Sequence, residues 1–436
     1  MFAAALLLAS PAGAWAHAGL LSSRPAAGDT LREAPTRVVL RFTEPVEAGS
    51  SGIVLIGLNS RVTLTVTRDP HDVAALVAEL PPLAPGGYRV QWHTLSADGH
   101  TVGDSFVFFV AGAGAEAGPA PPEHPEERLY EPKIPRLAPV LRGMGVGALA
   151  ALAGVLLLMA ASHAPAEARV RRVALALACA AALLLAAHAL AWADYARRGP
   201  EDAPLAQVLF QTGPGRVEAA RAGLALLALW ALALARRTRL ALAFAAAAVA
   251  ATGLTGHSAG IHPAWTVPAK AIHVAAVAVW LGGLAVLFAT LRRGDDPRGR
   301  SPLLRAVREK GPGDEGYALA ARISTLSLAA VVALLVSGVV QTLLFAPSLG
   351  SLARSGYGAV LAVKLAGTAV LVAFGARNRY LLLPRLPADD ARAALRRAAG
   401  WELAVMSIVL LAAGVLAYVP VPRPDPPVHV THVQTN

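Results

Sequence analysis

A single cysteine, Cys179, among 436 residues leaves no intramolecular disulfide and no cysteine-rich metal site open to this chain. Charge is scarce as well: 15% of residues are Asp, Glu, Lys or Arg, against 55% hydrophobic. A soluble domain of this length needs far less apolar material. No GxxxxGK[ST] stretch and no Asp-Lys-Thr-Gly-type phosphorylation segment occurs, which argues against an ATP-driven pump. Acidic residues are the rarer sign, and the formal net charge is +11. In a chain this apolar the basic bias of membrane loops accounts for that charge better than nucleic acid does. Residues 17–135 contain no methionine, which removes soft thioether ligands from that stretch.

What is present falls into distinct parts. Residues 1–16, MFAAALLLASPAGAWA, have a short apolar run and an Ala-x-Ala ending at Ala14 and Ala16, the pattern of a removed secretory signal. No Lys or Arg precedes the run, so the signal is atypical or the true start lies upstream. From 17 to 111, short runs such as TRVVLRFTEPV, SGIVLIG, RVTLTVTRD, GGYRVQWHTLS and TVGDSFVFFV are separated by Gly, Pro, Asn and Asp. Tyr88, Val90 and Trp92 alternate, as do Phe106 and Phe108, each set lying on one strand face. About a hundred residues of this kind predict one Ig-like antiparallel β-sandwich. Residues 112–136 are a Pro-, Gly- and Ala-rich linker.

Residues 137–420 predict an all-α polytopic membrane bundle of about eight helices, near 137–161, 173–194, 217–235, 239–256, 269–291, 319–345, 359–382 and 400–419. With the sandwich outside, the intervening inside loops, among them EARVRR and RRGDDPRGRSPLLRAVREK, are much richer in Lys and Arg than the outside ones. An even number of spans returns the tail 421–436 to the outside.

Within the sandwich, SADGHTVG places Asp98 and His100 two residues apart in a turn between strands. On turn preferences alone this is an ordinary turn Asp with an exposed His. Signal cleavage changes that reading. A mature chain beginning at His17 offers its α-amine and its ring Nδ1 to one ion, and His100 and Asp98 add a third nitrogen and a carboxylate oxygen. Nitrogen-rich tetragonal sites suit Cu(II). His71 and His93 are expected to be ordinary surface histidines.

The stretches HAGLLSSRPAAG, RFTEPV and YRVQWHTLSADGHTVGDSFVFFV resemble the copper-resistance CopC family of periplasmic copper carriers, and residues 137–420 resemble the CopD family. Together they resemble CopC–CopD fusions. The resemblance implies Cu(II) ligation by His17, Asp98 and His100. Some members carry a second, Met-rich Cu(I) site, and the lack of Met here predicts its absence.

Ionisable groups are costly inside a bilayer, so their placement is informative. His188, His257, His262 and His273 all fall in the outer part of the bundle or just outside it, which suggests an intake site for copper, as Cu(I) if reduction precedes entry. Each is equally acceptable as an interfacial residue beside Trp192, Trp265 or Trp280. His257 in GHSAG and His273 in HVAAVAVWLGG lie in segments that resemble CopD, and His188 is the next candidate. His163 falls on the other side, and His429 and His432 lie in the tail. Arg142, Glu218 and Arg221 are expected to pair. Lys364 is expected to snorkel or to act as a counter-charge, Met144 and Met406 to pack, and Gly282, Gly283, Gly338 and Gly367 to permit close helix contact.

The expectation is therefore a non-enzymatic, multi-pass protein of the bacterial inner membrane, with the sandwich and tail periplasmic. It captures Cu(II), if need be from a periplasmic donor, and passes copper inward through the membrane. The alternatives are copper sequestration without transport, and a copper-dependent redox enzyme at the histidine site.

Overall fold

The structure is a computed structural model that describes residues 18–112, 134–161, 168–198, 203–260, 263–290, 315–345, 348–382, 384 and 389–421. The leader, His17, most of the linker, His163, His262, His429 and His432 lie outside the described residues.

Nine strands build the first half: β1 (Leu20–Arg24), β2 (Thr30–Leu31), β3 (Arg37–Phe42), β4 (Val46–Ile56), β5 (Arg61–Leu64), β6 (Val66–Arg68), β7 (Ala75–Glu79), β8 (Gly86–Ser96) and β9 (Thr101–Val110). One sheet has the order β1-β3-β7-β6 and the other β2-β9-β8-β4-β5. Every pairing is antiparallel except the short β2–β9 pair. The alternation in the sequence does its expected work. Val38, Leu40 and Phe42 of one sheet meet Ile53, Leu55, Tyr88, Val90, Trp92, Phe106 and Phe108 of the other in a single core. Each fully buried Leu, Ile or Phe side chain there contributes about 2–3 kcal/mol.

β8 departs from simple alternation, because both of its faces are buried. One face is the sandwich core. The other is covered, at its His93–Leu95 end, by the helical half. Leu95 packs with Ala189, Trp192, Tyr195 and Leu209, and His93 shares a small polar cavity with Arg197 and Ala203. His93 is therefore not a surface residue: it is 7% exposed, whereas His71 is exposed as expected. Its ring fills the space above Gly52, where any side chain would collide with it.

Burial holds the His93 imidazole down to about 4. A base with a depressed value binds its proton less readily in the fold than in the unfolded chain. Its contribution to stability is thus complete above the ordinary value and is lost as pH falls from about 6.5 toward 4. Moving the full chain from pH 7 to pH 5 is expected to remove roughly 2 kcal/mol of stability through this residue. A His93→Gln variant should lack that increment of acid sensitivity in thermal unfolding. An equal acid loss in both proteins would rule His93 out as its source.

The helical half comprises α1 (Ala138–Ala161), α2 (Ala168–Ala196), α3 (Leu205–Gln211), α4 (Gly213–Ala233), α5 (Thr238–Ala251), α6 (His257–Gly260), α7 (Pro263–Thr290), α8 (Glu315–Phe345), α9 (Leu349–Ala353), α10 (Gly356–Arg377) and α11 (Asp389–Leu416). A π-helical turn, Asn378–Leu382, extends α10. α1 is central and touches α2, α5, α7 and α11. Lipid supplies no hydrophobic drive between helices, so close backbone packing must. Gly154 of α1 and Gly282 of α7 show it: a Cβ on Gly282 would lie 2.4 Å from the Gly154 carbonyl carbon.

Among the described residues, six helical segments are long and apolar enough to cross a membrane: Ala138–Ala161, Ala168–Ala196, Pro263–Ala289, Thr325–Phe345, Gly356–Leu382 and Ala393–Leu416. Six among the described residues is fewer than the expected eight or so. α4 is interrupted by Arg216, Glu218 and Arg221 in its first half, and Thr238–Leu254 is apolar but short. The two pack against each other.

Candidate metal centre

The β8–β9 turn is built to present one carboxylate oxygen. Gly99 takes φ +88, a left-handed conformation that costs glycine nothing. Its N–H donates to the Ser96 carbonyl (2.9 Å), closing the turn. The Ser96 hydroxyl donates to Asp98 Oδ1, and the His100 backbone N–H donates to the same oxygen (3.0 Å). Asp98 Oδ1 is thereby anchored, and Oδ2 points away from the turn. His100 Nδ1 lies 2.9 Å from that Oδ2.

The helical half holds this turn in place. Trp192 Nε1 of α2 donates to the Gly99 carbonyl (3.0 Å), and the Thr101 N–H donates to the Tyr195 hydroxyl (3.3 Å). Nearby, the Gly213 N–H donates to Glu47 Oε1 (2.8 Å) and Gln207 Nε2 to the Gly49 carbonyl (2.8 Å). His257, at the first residue of α6, completes the arrangement. Its Nδ1 lies 3.3 Å from Asp98 Oδ2, and its ring stacks on His100 with centroids 5.2 Å apart and planes 8° from parallel. Its Nε2 is 3.1 Å from the Val419 carbonyl. A carbonyl only accepts, so Nε2 carries the proton and Nδ1 is the atom turned to the cluster. Metal-ligating histidines are commonly oriented by just such a carbonyl.

Asp98, His100 and His257 each offer one donor atom, all within 4.8 Å of one another, and all three residues are buried. With metal–ligand bonds of about 2.0 Å, donors at neighbouring corners of a square or tetrahedron stand about 2.8–3.3 Å apart. The two measured separations fall at those values. Glu44, in the RFTEPV stretch, carries no local sequence signal that sets it apart from the other acids. It is 4% exposed, and neither carboxylate oxygen makes a well-formed hydrogen bond. Gly260 of α6 abuts both Glu44 and Asp98. Burial first, then the negative Asp98, pushes the Glu44 carboxyl up to about 9. Two carboxyl groups so enclosed are what a divalent cation would relieve, so the donor set fits a metal ion.

Of the other predicted histidines that the structure describes, His188 and His273 are not in this cluster. His188 is fully buried on α2, with Nδ1 3.2 Å from Glu218 Oε2 and Nε2 2.9 Å from the Tyr418 hydroxyl. Both of its nitrogens are engaged, and it approaches the cluster only through Tyr418, whose ring meets His100 edge-on at 6.2 Å. Glu218 also accepts from Arg221 Nη1 (2.8 Å) and lies 3.7 Å from Arg142, the pairing anticipated from the sequence. His273, on α7, faces Ser337 of α8, with Nδ1 3.0 Å from its hydroxyl. Met406 is buried in the core as a packing residue.

Fold and site together define a two-part, multi-pass membrane protein with a metal-competent acid–histidine cluster where its halves meet. The CopC domain matches residues 20–111, and copper resistance protein D (CopD) matches residues 317–416. Protein YobA of Escherichia coli K12 is 39% identical over 99 residues, covering 22% of this chain and 80% of its own. Copper transport protein CutJ of Bacillus subtilis is 26% identical, covering 95% of this chain and 76% of its own. The crystal structure of CopC from Methylosinus trichosporium OB3b is 30% identical, covering 23% of this chain and 99% of that chain, with a TM-score of 0.22. The chain belongs to the copper-resistance and copper-transport family in which a CopC domain precedes a CopD domain.

Proposed function

We propose that the sandwich captures Cu(II) at the outer face of the bacterial inner membrane and hands copper to the helical half for passage inward. The observation that carries this reading is the meeting of Asp98 and His100 of the sandwich with His257 of the bundle. A carrier domain that merely stored copper would have no need of a ligand from the membrane half. His17, with the amine freed by signal cleavage, supplies two further nitrogens, and Glu44 a second carboxylate. Nitrogen and oxygen donors in this mixture suit Cu(II). His257 is the first ligand of the membrane half. His188 steadies Tyr418 behind the site, and His273 stands apart from it on α7. The basic bias of the loops assigned to the inside supports placing the sandwich and tail outside.

The test is copper uptake by proteoliposomes holding the full chain. His257→Ala should bind Cu(II) with fewer nitrogen couplings in its EPR spectrum and should lose most uptake. Uptake equal to wild type would remove His257 from the route. A wild-type chain that binds copper and never moves it would reduce the function to sequestration.

A further inference from the structure

The far end of the bundle holds a second buried polar site that copper capture does not use. α11 turns one stripe to the bundle core, and Ala398, Glu402 and Met406 lie on it, each 3% exposed or less. Glu402 is thus an acid inside a membrane-spanning helix, facing protein and not lipid. Asn378 Nδ2, from the π-helical turn after α10, donates to Glu402 Oε1. Among the described residues that amide is its only hydrogen-bond partner. Arg377 on the neighbouring segment, and Arg396 and Arg397 on α11 itself, are near in sequence, and among the described residues none of these three pairs with it. α1 and α7 carry Arg142 and Lys270, which are bound to Thr255 at the other end. Leu382, Leu395 and Leu287 pack close by. Asn378 is 7% exposed, and its Oδ1 is buried with no partner among the described residues.

Among the described residues an ionised carboxylate here has no counter-charge, and a membrane interior tolerates a lone charge poorly. Two oxygens, one carboxyl and one amide, are hard donors that do not suit Cu(I). They suit a proton on the acid. π-Helical turns also recur at functional positions. A further feature ties this site to copper. α11 is one continuous helix, and the residues just past its other end touch the metal cluster: Val419 holds His257 and Tyr418 meets His100.

We propose that Glu402, backed by Asn378, is a proton-binding site that couples copper movement to the proton gradient, with α11 as the rigid connection. The proposal rests on the transport reading above and supplies the driving force that a chain without a nucleotide motif requires. The proton bound at Glu402 on one side is released on the other, one per carboxyl. For one coupled proton, the copper accumulation ratio changes by up to about tenfold per pH unit across the membrane.

The full chain in proteoliposomes, with copper and a pH gradient of either sign, tests it. Wild-type uptake should respond to one sign of the gradient. Glu402→Gln should lose that response while its Cu(II) EPR spectrum stays wild type. Uptake indifferent to the gradient, or a Glu402→Gln protein that keeps the full response, would overturn the coupling. A second readout stands if no copper moves at all. Infrared difference spectra of wild type against Glu402→Gln at neutral pH should show a protonated carboxyl band belonging to Glu402. Its absence, or an ionised band that follows added sodium, would refute the proton site independently of transport.

Discussion

Asp98→Asn lowers the Cu(II) affinity of the full chain by at least about a hundredfold, the upper range for losing even an indirect partner of a metal ligand. The reason lies in how the two oxygens are used. Oδ1 accepts from Ser96 and from the His100 N–H, and Asn can accept there equally well, so the turn is retained. Oδ2 is replaced by an amide nitrogen that neither coordinates a metal nor carries charge, at the point where His100 and His257 converge. The same change removes a buried acid whose negative charge has to be carried when no metal is bound. Without metal, the variant is therefore expected to be as stable as wild type or more so. Competition titration against a copper chelator, with thermal unfolding of the metal-free protein, reads both effects. Unchanged affinity would move the site elsewhere. Lost affinity together with a less stable metal-free protein would mean that the substitution had broken the turn.

The second large effect concerns Glu218. Its carboxylate accepts from Arg221, lies 3.7 Å from Arg142 and holds His188, all buried between α1, α2 and α4. Glu218→Gln keeps the shape and removes the charge. Two guanidinium groups are then left in the bundle with no counter-ion, at a cost of about 3–5 kcal/mol. Arg221 is fully buried, so it cannot turn to water. The variant should assemble poorly in the membrane or lose its fold at a much lower temperature in detergent. Adding Arg221→Met should restore part of the loss, since it removes one of the orphaned charges. If the double variant were as unstable as the sum of the two single ones, the ion pair would not be the cause.

Much of the architecture was legible because it is written in local periods. Tyr88, Val90 and Trp92 alternate with a period of two and enter one core. The long apolar runs from Leu137 onward become spans where charges are few. α4 has the length of a span, but its Glu218 and Arg221 are buried among other helices, and three charges stand in its first half. The Asp98–His100 turn was also legible, since two residues of the right chemistry stand two apart. His93 departs from the expectation because alternation predicts which face a residue takes and says nothing of what covers that face.

The sequence by itself determined the two-part plan, the donor types available and the turn that presents Asp98 and His100. The tertiary structure alone decided that His257, 159 residues from Asp98, faces the same oxygen, and that His188 is taken up by Glu218 and Tyr418. The physical reason is that neither contact follows a helical or strand period. Both depend on how separately formed elements pack: the β8–β9 turn on the ends of the helices in one case, and α2 against α4 and the end of α11 in the other.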